Sequence, residues 1–129
     1  MSSVAYVDAS ALVKLIVDEP DSSAMRRWYI ENERVVSSRI GLVEARRAAN
    51  RRDHDPAHQD AILETVEIFE FDADVGDRAA AVGPTSLKTL DAIHLATALA
   101  IPGLGAFVTY DDRLAQAARA VGLPVVRPA

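Results

Sequence analysis

The run Leu90-Asp91-Ala92-Ile93-His94-Leu95-Ala96-Thr97-Ala98-Leu99-Ala100 constrains this chain most. It is rich in Ala and Leu and contains no Gly or Pro, so it reads as a helix. Its apolar residues run almost all the way round, which marks a helix enclosed by other layers rather than one lying on a surface. Yet an aspartate stands in its first turn. One reading is local: Asp91 satisfies free backbone N–H groups and complements the helix dipole. The other is that the helix holds Asp91 rigidly where further carboxylates converge.

The rest of the chain supplies the enclosing layers. Val4-Ala5-Tyr6-Val7 is β-prone and suits a buried strand ending at Asp8. A helix follows from Ser10 to Val17 until Asp18-Glu19-Pro20-Asp21 breaks it. A second helix starts near Asp21 or Ser22, with Met25, Trp28 and Tyr29 on one face. Val35-Val36-Ser37 reads as the second strand, and Ser38 caps a helix predicted over 39–52. Pro56 opens a fourth helix at its first position. Ile68-Phe69-Glu70-Phe71 alternates as a half-exposed strand does. Asp72 and Asp74 lead into a helix through Val82, and the Asp91 helix follows the loop at 83–86. Residues 106–110 form a further strand candidate. Leu114, Ala117, Ala118 and Val121 mark an amphipathic helix stopped by Gly122, and Val125-Val126 suits a last short strand. Strands alternating with helices predict one α/β layer sandwich around a mainly parallel sheet.

Composition narrows the chemistry. The 129 residues make one domain with a real core, and half of them are apolar. The absence of cysteine excludes disulfides, thiolate metal sites and cysteine nucleophiles. No apolar run reaches bilayer length and the N-terminus lacks a secretory pattern, so no membrane association and a cytoplasmic location are expected. A net charge of −5 argues against a general nucleic-acid coat protein but not against a nuclease, whose clustered carboxylates add to the negative balance.

In open α/β sheets ligands bind beyond the carboxyl ends of the strands. Asp8 and Asp111 each follow a predicted strand, Glu44 lies within two turns of the start of the helix after the second strand, and Asp91 opens its own helix. A parallel sheet puts all of them on one edge. Converging carboxylates repel and raise one another's pKa, a penalty that a cation removes. Oxygen-only ligands suit Mg²⁺ or Mn²⁺. Such ions clamp a phosphodiester and lower the pKa of water, so the chemistry implied is phosphate-ester hydrolysis by metal-activated water.

Val7-Asp8-Ala9-Ser10, the segment from Ser38 to Glu44, Leu90 to Ala98, and Thr109-Tyr110-Asp111-Asp112-Arg113-Leu114 together resemble the PIN-domain ribonucleases, and more narrowly the VapC toxins of toxin–antitoxin pairs. The resemblance spans essentially the whole chain. It implies a PIN-like α/β three-layer sandwich with a mainly parallel central sheet flanked by helices, a single domain over 1–129. Asp8, Glu44, Asp91 and Asp111 then match the family's metal-binding and catalytic acids, with Asp112 auxiliary. Ser10 and Thr109 match hydroxyl positions that orient a carboxylate or a water. The resemblance further implies Mg²⁺ or Mn²⁺ as cofactor, an RNA substrate (tRNA, rRNA or mRNA), a homodimer and a cognate VapB-like antitoxin. Gly41 departs from the pattern, since a helix former or hydroxyl residue is common there, and it leaves the start of the Glu44 helix less defined.

Bland alternatives stand beside these readings. Asp8 and Asp111 or Asp112 are also ordinary helix caps, and the family pattern leaves Asp112 to the cap or the rim. His94 reads as a satisfied, semi-buried histidine supporting the site rather than as a catalytic base. Arg47 and Arg51 share the side of Glu44 and either meet RNA phosphates or form a solvated basic face. Met25, Trp28 and Tyr29 are either core or an antitoxin-facing surface. Two rivals to a nuclease remain. A phosphotransferase with an Asp nucleophile is disfavoured because Asp8-Ala9-Ser10 lacks a second aspartate two residues on. An inactive PIN-fold module binding RNA or protein has no need of four converging acids.

Overall fold

The computed structural model describes residues 3–129. Four-residue strands β1 (Val4–Val7) and β2 (Arg34–Ser37), the edge pair β3 (Glu67–Ile68), β4 (Leu104–Val108) and β5 (Val125–Val126) form one sheet in the order β3-β2-β1-β4-β5. Every pairing is parallel. The chain walks outward from β1 through β2 to β3, then returns to the other side of β1 for β4. The strand order therefore reverses between β1 and β4, the place where open α/β sheets bind ligands beyond the carboxyl ends of their strands.

Period-2 alternation along the strands separates two cores. Val7, Val35 and Val108 face the layer of α1 (Ala9–Ile16), α2 (Ser22–Glu31), α3 (Arg39–Ala49) and α4 (Pro56–Glu64), packing with Leu12, Leu15, Met25, Ala45 and Leu63. Val4, Tyr6, Val36 and Phe107 face α6 (Thr89–Leu99) and α7 (Asp112–Ala120), packing with Leu95, Ala98, Leu114 and Ala118. The short α5 (Ala73–Ala81) covers α6 from outside. Every residue of α6 from Ala92 to Ala98 is buried, as its all-round apolar pattern requires. This is the three-layer α/β sandwich expected. Gly122 adopts φ +85° after α7, the left-handed stop that a side chain would oppose.

Several boundaries differ from the sequence expectation. The third strand starts one residue early and covers only Glu67–Ile68, with Phe69 N donating one more bond to Ser37 O at 2.9 Å. The chain then turns to let Asp72 cap α5 through Val75 N, leaving Phe71 largely exposed. Helix α3 ends at Ala49, because Arg51 N and Arg52 N bond three residues back to Ala48 O and Ala49 O in a tight turn. Strand β4 starts two residues early and stops at Val108, since Tyr110 N and Asp111 N bond to the hydroxyls of Ser10 and Thr109 instead of a neighbouring strand. On α2, Met25 is buried while Trp28 and Tyr29 pack half-buried on the first core, so these three are core residues before they are a surface. No helix among the described residues is long and apolar enough to cross a membrane.

Candidate active site

The site at the carboxyl ends of β1 and β4 is built around Asp8. It follows β1 directly and caps α1, its Oδ1 accepting from Ala11 N at 3.0 Å. The capping and functional readings are therefore both true of it. Oδ1 also accepts from Ser10 Oγ at 2.7 Å, and Oδ2 accepts from Thr109 Oγ1 at 2.5 Å. Each hydroxyl has one proton and gives it to Asp8, so the 3.4 Å approach of Ser10 Oγ to Thr109 Oγ1 is a contact and not a further bond. The hydroxyls accept in turn: Ser10 Oγ from Tyr110 N at 2.8 Å, Thr109 Oγ1 from Asp111 N at 3.0 Å. Ser10 and Thr109 thus lock the ends of β1 and β4 to one carboxylate. Asp8 is only 3 % exposed. Burial pushes its carboxyl above the ordinary range, and the His94 ring and the three hydrogen bonds oppose that without cancelling it.

The other acids arrive from three helices. Asp111 caps α7, accepting from Leu114 N at 3.0 Å, and is exposed at the rim. Glu44 projects from α3, and its Oε1 accepts from His94 Nε2 at 2.7 Å. Asp91 sits in the first turn of α6 but does not cap it. Lys88 holds the cap position without a side-chain bond, and among the described residues nothing donates to the Asp91 carboxylate. The local reading of Asp91 as a cap is thereby corrected: the helix starts one residue earlier than the sequence suggests and places Asp91 inside it. Burial raises the Asp91 carboxyl, and the charges of Asp111, Asp8 and Glu44 raise it further against the opposing His94. Asp91 is thus the acid that feels the charge of the other three.

Asp112 is not brought to them. Its side chain is 89 % exposed and pairs with Arg127 Nη2 at 2.8 Å. Asp111 takes the cap, which leaves Asp112 at the rim. Arg47 and Arg51 lie beside Glu44 and line, with Ser10, Val43 and Leu90, a groove of ≈ 490 Å³. Neither has an ion-pair partner among the described residues, whereas Arg34, Arg39, Arg46 and Arg52 all do. Across the acids a second groove of ≈ 620 Å³ is lined by Lys88, Asp91, Arg113 and Gln116. A third cavity of ≈ 350 Å³ between α5 and α6 has no acidic or basic side chain in its lining.

The donor set suits a hard divalent cation. It is all oxygen, it contains an unpartnered carboxylate held in the field of three others, and it has no thiolate. Among the described residues no three acidic or histidine side chains are closed into a ligating shell, so the carboxylates converge without having drawn together.

Two supports of the site, Tyr6 and Gly41, lie outside the sequence pattern. Tyr6 is fully buried, with its hydroxyl 2.6 Å from His94 Nδ1. The available signal was a phenol inside an apolar strand, whose hydroxyl needs a buried partner. Gly41 does not weaken the start of α3, because Ser38 caps it through Gly41 N at 2.9 Å. A Cβ there would come within 2.7 Å of Ser37 Oγ and 3.1 Å of His94 Cε1. The glycine is a close approach between α3 and the His94 ring.

Comparison with known proteins agrees with this geometry. The PIN domain family matches residues 5–120. Ribonuclease VapC46 of Mycobacterium tuberculosis is 39% identical over 125 residues, covering 95% of this chain and 96% of that protein. Ribonuclease VapC35 of the same species is 41% identical over 130 residues, with the same coverage of each. The crystal structure of M. tuberculosis VapC20, a sarcin–ricin loop cleaving toxin, superposes with a TM-score of 0.75 at 22% identity, covering 96% of this chain and 99% of that one. The structure of FitAB bound to a DNA fragment gives 0.73 at 18% identity, covering 96% and 94%; both structures bear on the fold alone. Two strand ends locked to one buried aspartate, four acids at the reversal of strand order and sequence relatives matched along almost their whole length lead to one assignment: the chain belongs to the PIN-domain family, among the VapC ribonucleases.

Proposed function

We propose that the protein is a Mg²⁺- or Mn²⁺-dependent endoribonuclease acting as the toxin of a VapBC-type pair. The observation that carries this reading is Asp91: half-buried, without a hydrogen-bond donor among the described residues, and destabilised as an anion by burial and by the charges of Asp111, Asp8 and Glu44. A site that concentrates negative charge in this way favours a cation strongly. Asp8, Asp91 and Asp111 would hold the principal ion, with Glu44 and Asp91 serving a second where one binds. The bound ion supplies charge neutralisation at the scissile phosphate and an activated water.

The chain's own residues do the rest. Thr109 and Ser10 fix both oxygens of Asp8, so that carboxylate cannot rotate. Helix α6 fixes Asp91, and the cap of α7 fixes Asp111. Arg47 and Arg51 on one bank, and Lys88 and Arg113 on the other, none of them ion-paired among the described residues, would offer positive charge to the phosphates of an RNA strand crossing the acids. tRNA, rRNA and mRNA all present such a strand. No covalent nucleophile is needed. A VapB-like antitoxin, a homodimer and a cytoplasmic setting are supported by membership of the VapC family.

The test is cleavage of total cellular RNA by the purified, antitoxin-free protein. New 5′-phosphate ends are mapped in Mg²⁺, in Mn²⁺ and in EDTA, with Asp91→Asn alongside. Discrete ends that need metal and vanish in the variant are expected. A folded, metal-loaded protein that yields none would replace the reading with that of a binding module.

A further inference from the structure

We propose that His94 is the positioning residue for Glu44, backed by Tyr6 and given room by Gly41; this rests on the metal-nuclease reading. His94 stands one turn after Asp91 on α6, and Glu44 stands on α3. The bond from Nε2 to Glu44 Oε1 at 2.7 Å is therefore a strut between the helices that carry two of the acids. The Glu44 side chain has several free torsions and would otherwise sample many rotamers. With Oε1 held, Oε2 carries no bond from His94 and is fixed in direction for another ligand. Nε2 donates to Glu44 whether the ring is neutral or charged.

The ring is itself held. Its side chain is 2 % exposed, against 28 % for Glu44. Nδ1 lies 2.6 Å from the Tyr6 hydroxyl, and the two rings meet edge to face at 5.8 Å. Tyr6 is fixed in turn by stacking on Phe107 at 5.4 Å. On the α3 side, Gly41 lets the helix approach His94 Cε1. Ser37 Oγ closes the space beside it and is fixed by its own 2.6 Å bond to Val7 O. Sheet, His94 and α3 thus form one continuous line of contact ending at Glu44. His94 acts through Glu44 and touches no substrate.

The experiment is calorimetric titration with Mn²⁺ alone, with melting curves to establish folding. Removing an outer partner of a metal ligand typically lowers metal affinity by about 10- to 100-fold. His94→Leu is expected to weaken Mn²⁺ binding by about tenfold, with no added loss in a Glu44→Ala background. His94→Gln, which keeps an N–H near the Nε2 position, restores most of the affinity. Tyr6→Phe removes only the hydroxyl and is expected to weaken binding severalfold, again only when Glu44 is present. Should His94→Leu fail to fold, Tyr6→Phe decides the matter. Folded His94→Leu or Tyr6→Phe protein that binds Mn²⁺ like the wild type, or losses that add fully to Glu44→Ala, would overturn the positioning role while leaving the nuclease reading intact. A wild-type protein that binds no Mn²⁺ would overturn that reading itself, and this one with it.

Discussion

Replacing Thr109 by Val tests how the fold holds its central acid. The two side chains are nearly the same shape, so the change removes one hydroxyl and little packing. What is lost is the 2.5 Å bond to Asp8 Oδ2 and the acceptor for Asp111 N. Asp8 is buried, so Oδ2 is left facing a methyl group without water. A bond of this kind to a charged group contributes about 1.5–3 kcal/mol, against about 1 kcal/mol for a neutral pair. Burial already raises the Asp8 carboxyl, and Thr109 is among the groups that oppose the rise, so its loss raises the folded-state pKa further. The sign follows. Below the unfolded value near ~3.9 the carboxyl is protonated in both states, and the variant is weaker by about 1 kcal/mol. As pH climbs through the folded-state pKa, the folded protein holds its proton longer than the unfolded chain and stability falls, over a wider window in the variant. Once both folded proteins have lost that proton the gap reaches about 2–3 kcal/mol. An unfolding entropy of about 2.1 cal/mol/K per residue gives about 0.27 kcal/mol/K for 129 residues, so Tm drops by roughly 9 °C. The assay is thermal melting in EDTA from pH 3.5 to 7.5, and Thr109→Ser should recover most of the loss. A variant within about 2 °C of wild type at pH 7, or a gap that ignores pH, would refute the argument.

The acids should also be visible as a cost to the metal-free fold. Because the Asp91 carboxyl is raised by burial and like charge, stability without metal falls as pH rises from the ordinary carboxylate range through its folded-state value. Asp91→Asn should therefore melt higher than wild type at pH 7 in EDTA while losing RNA cleavage; an equal or lower Tm contradicts the repulsion. Mg²⁺ or Mn²⁺ at about 100 times its Kd should stabilise the wild type by about 2.7 kcal/mol, and Asp91→Asn far less, as melting with and without chelator will show. Arg47→Ala and Arg51→Ala should weaken RNA binding and each lower the salt slope by roughly 0.7 for a single strand, with kcat preserved; an unchanged slope leaves that face merely solvated.

The parts of the fold that the sequence showed clearly are those where local chemistry and tertiary packing agree. The all-round apolar pattern of Ala92 to Ala98 could only be a buried helix, and it is one. Asp8, Ser38, Asp55 and Asp72 all cap helices where a short polar residue precedes an apolar run. Expectation failed where a distant residue decides. Strand β4 ends at Val108 because Ser10, a hundred positions away from Tyr110, takes the Tyr110 backbone N–H. Residues 69–71 alternate like a strand, but β3 lies at the sheet edge with β2 as its one neighbour, and the cap of α5 draws the chain away.

The same distinction separates the acids from their supports. Four carboxylates just beyond strand ends or within the first turns of helices are legible, because a parallel sheet gathers those positions whatever the loops between them do. The supports are not. Tyr6 and His94 are 88 positions apart, and nothing local marks their pairing. Gly41 is the instructive case. Read along the chain, it weakens a helix start; read across the structure, it is a position where a side chain would crowd the ring bonded to Glu44. A side chain at residue 41 would be favourable for the helix and harmful to the approach, so the helix gives up a better former to keep the contact. A local propensity set against the global arrangement is most informative at such a position, because the arrangement it yields to is the one that holds the site.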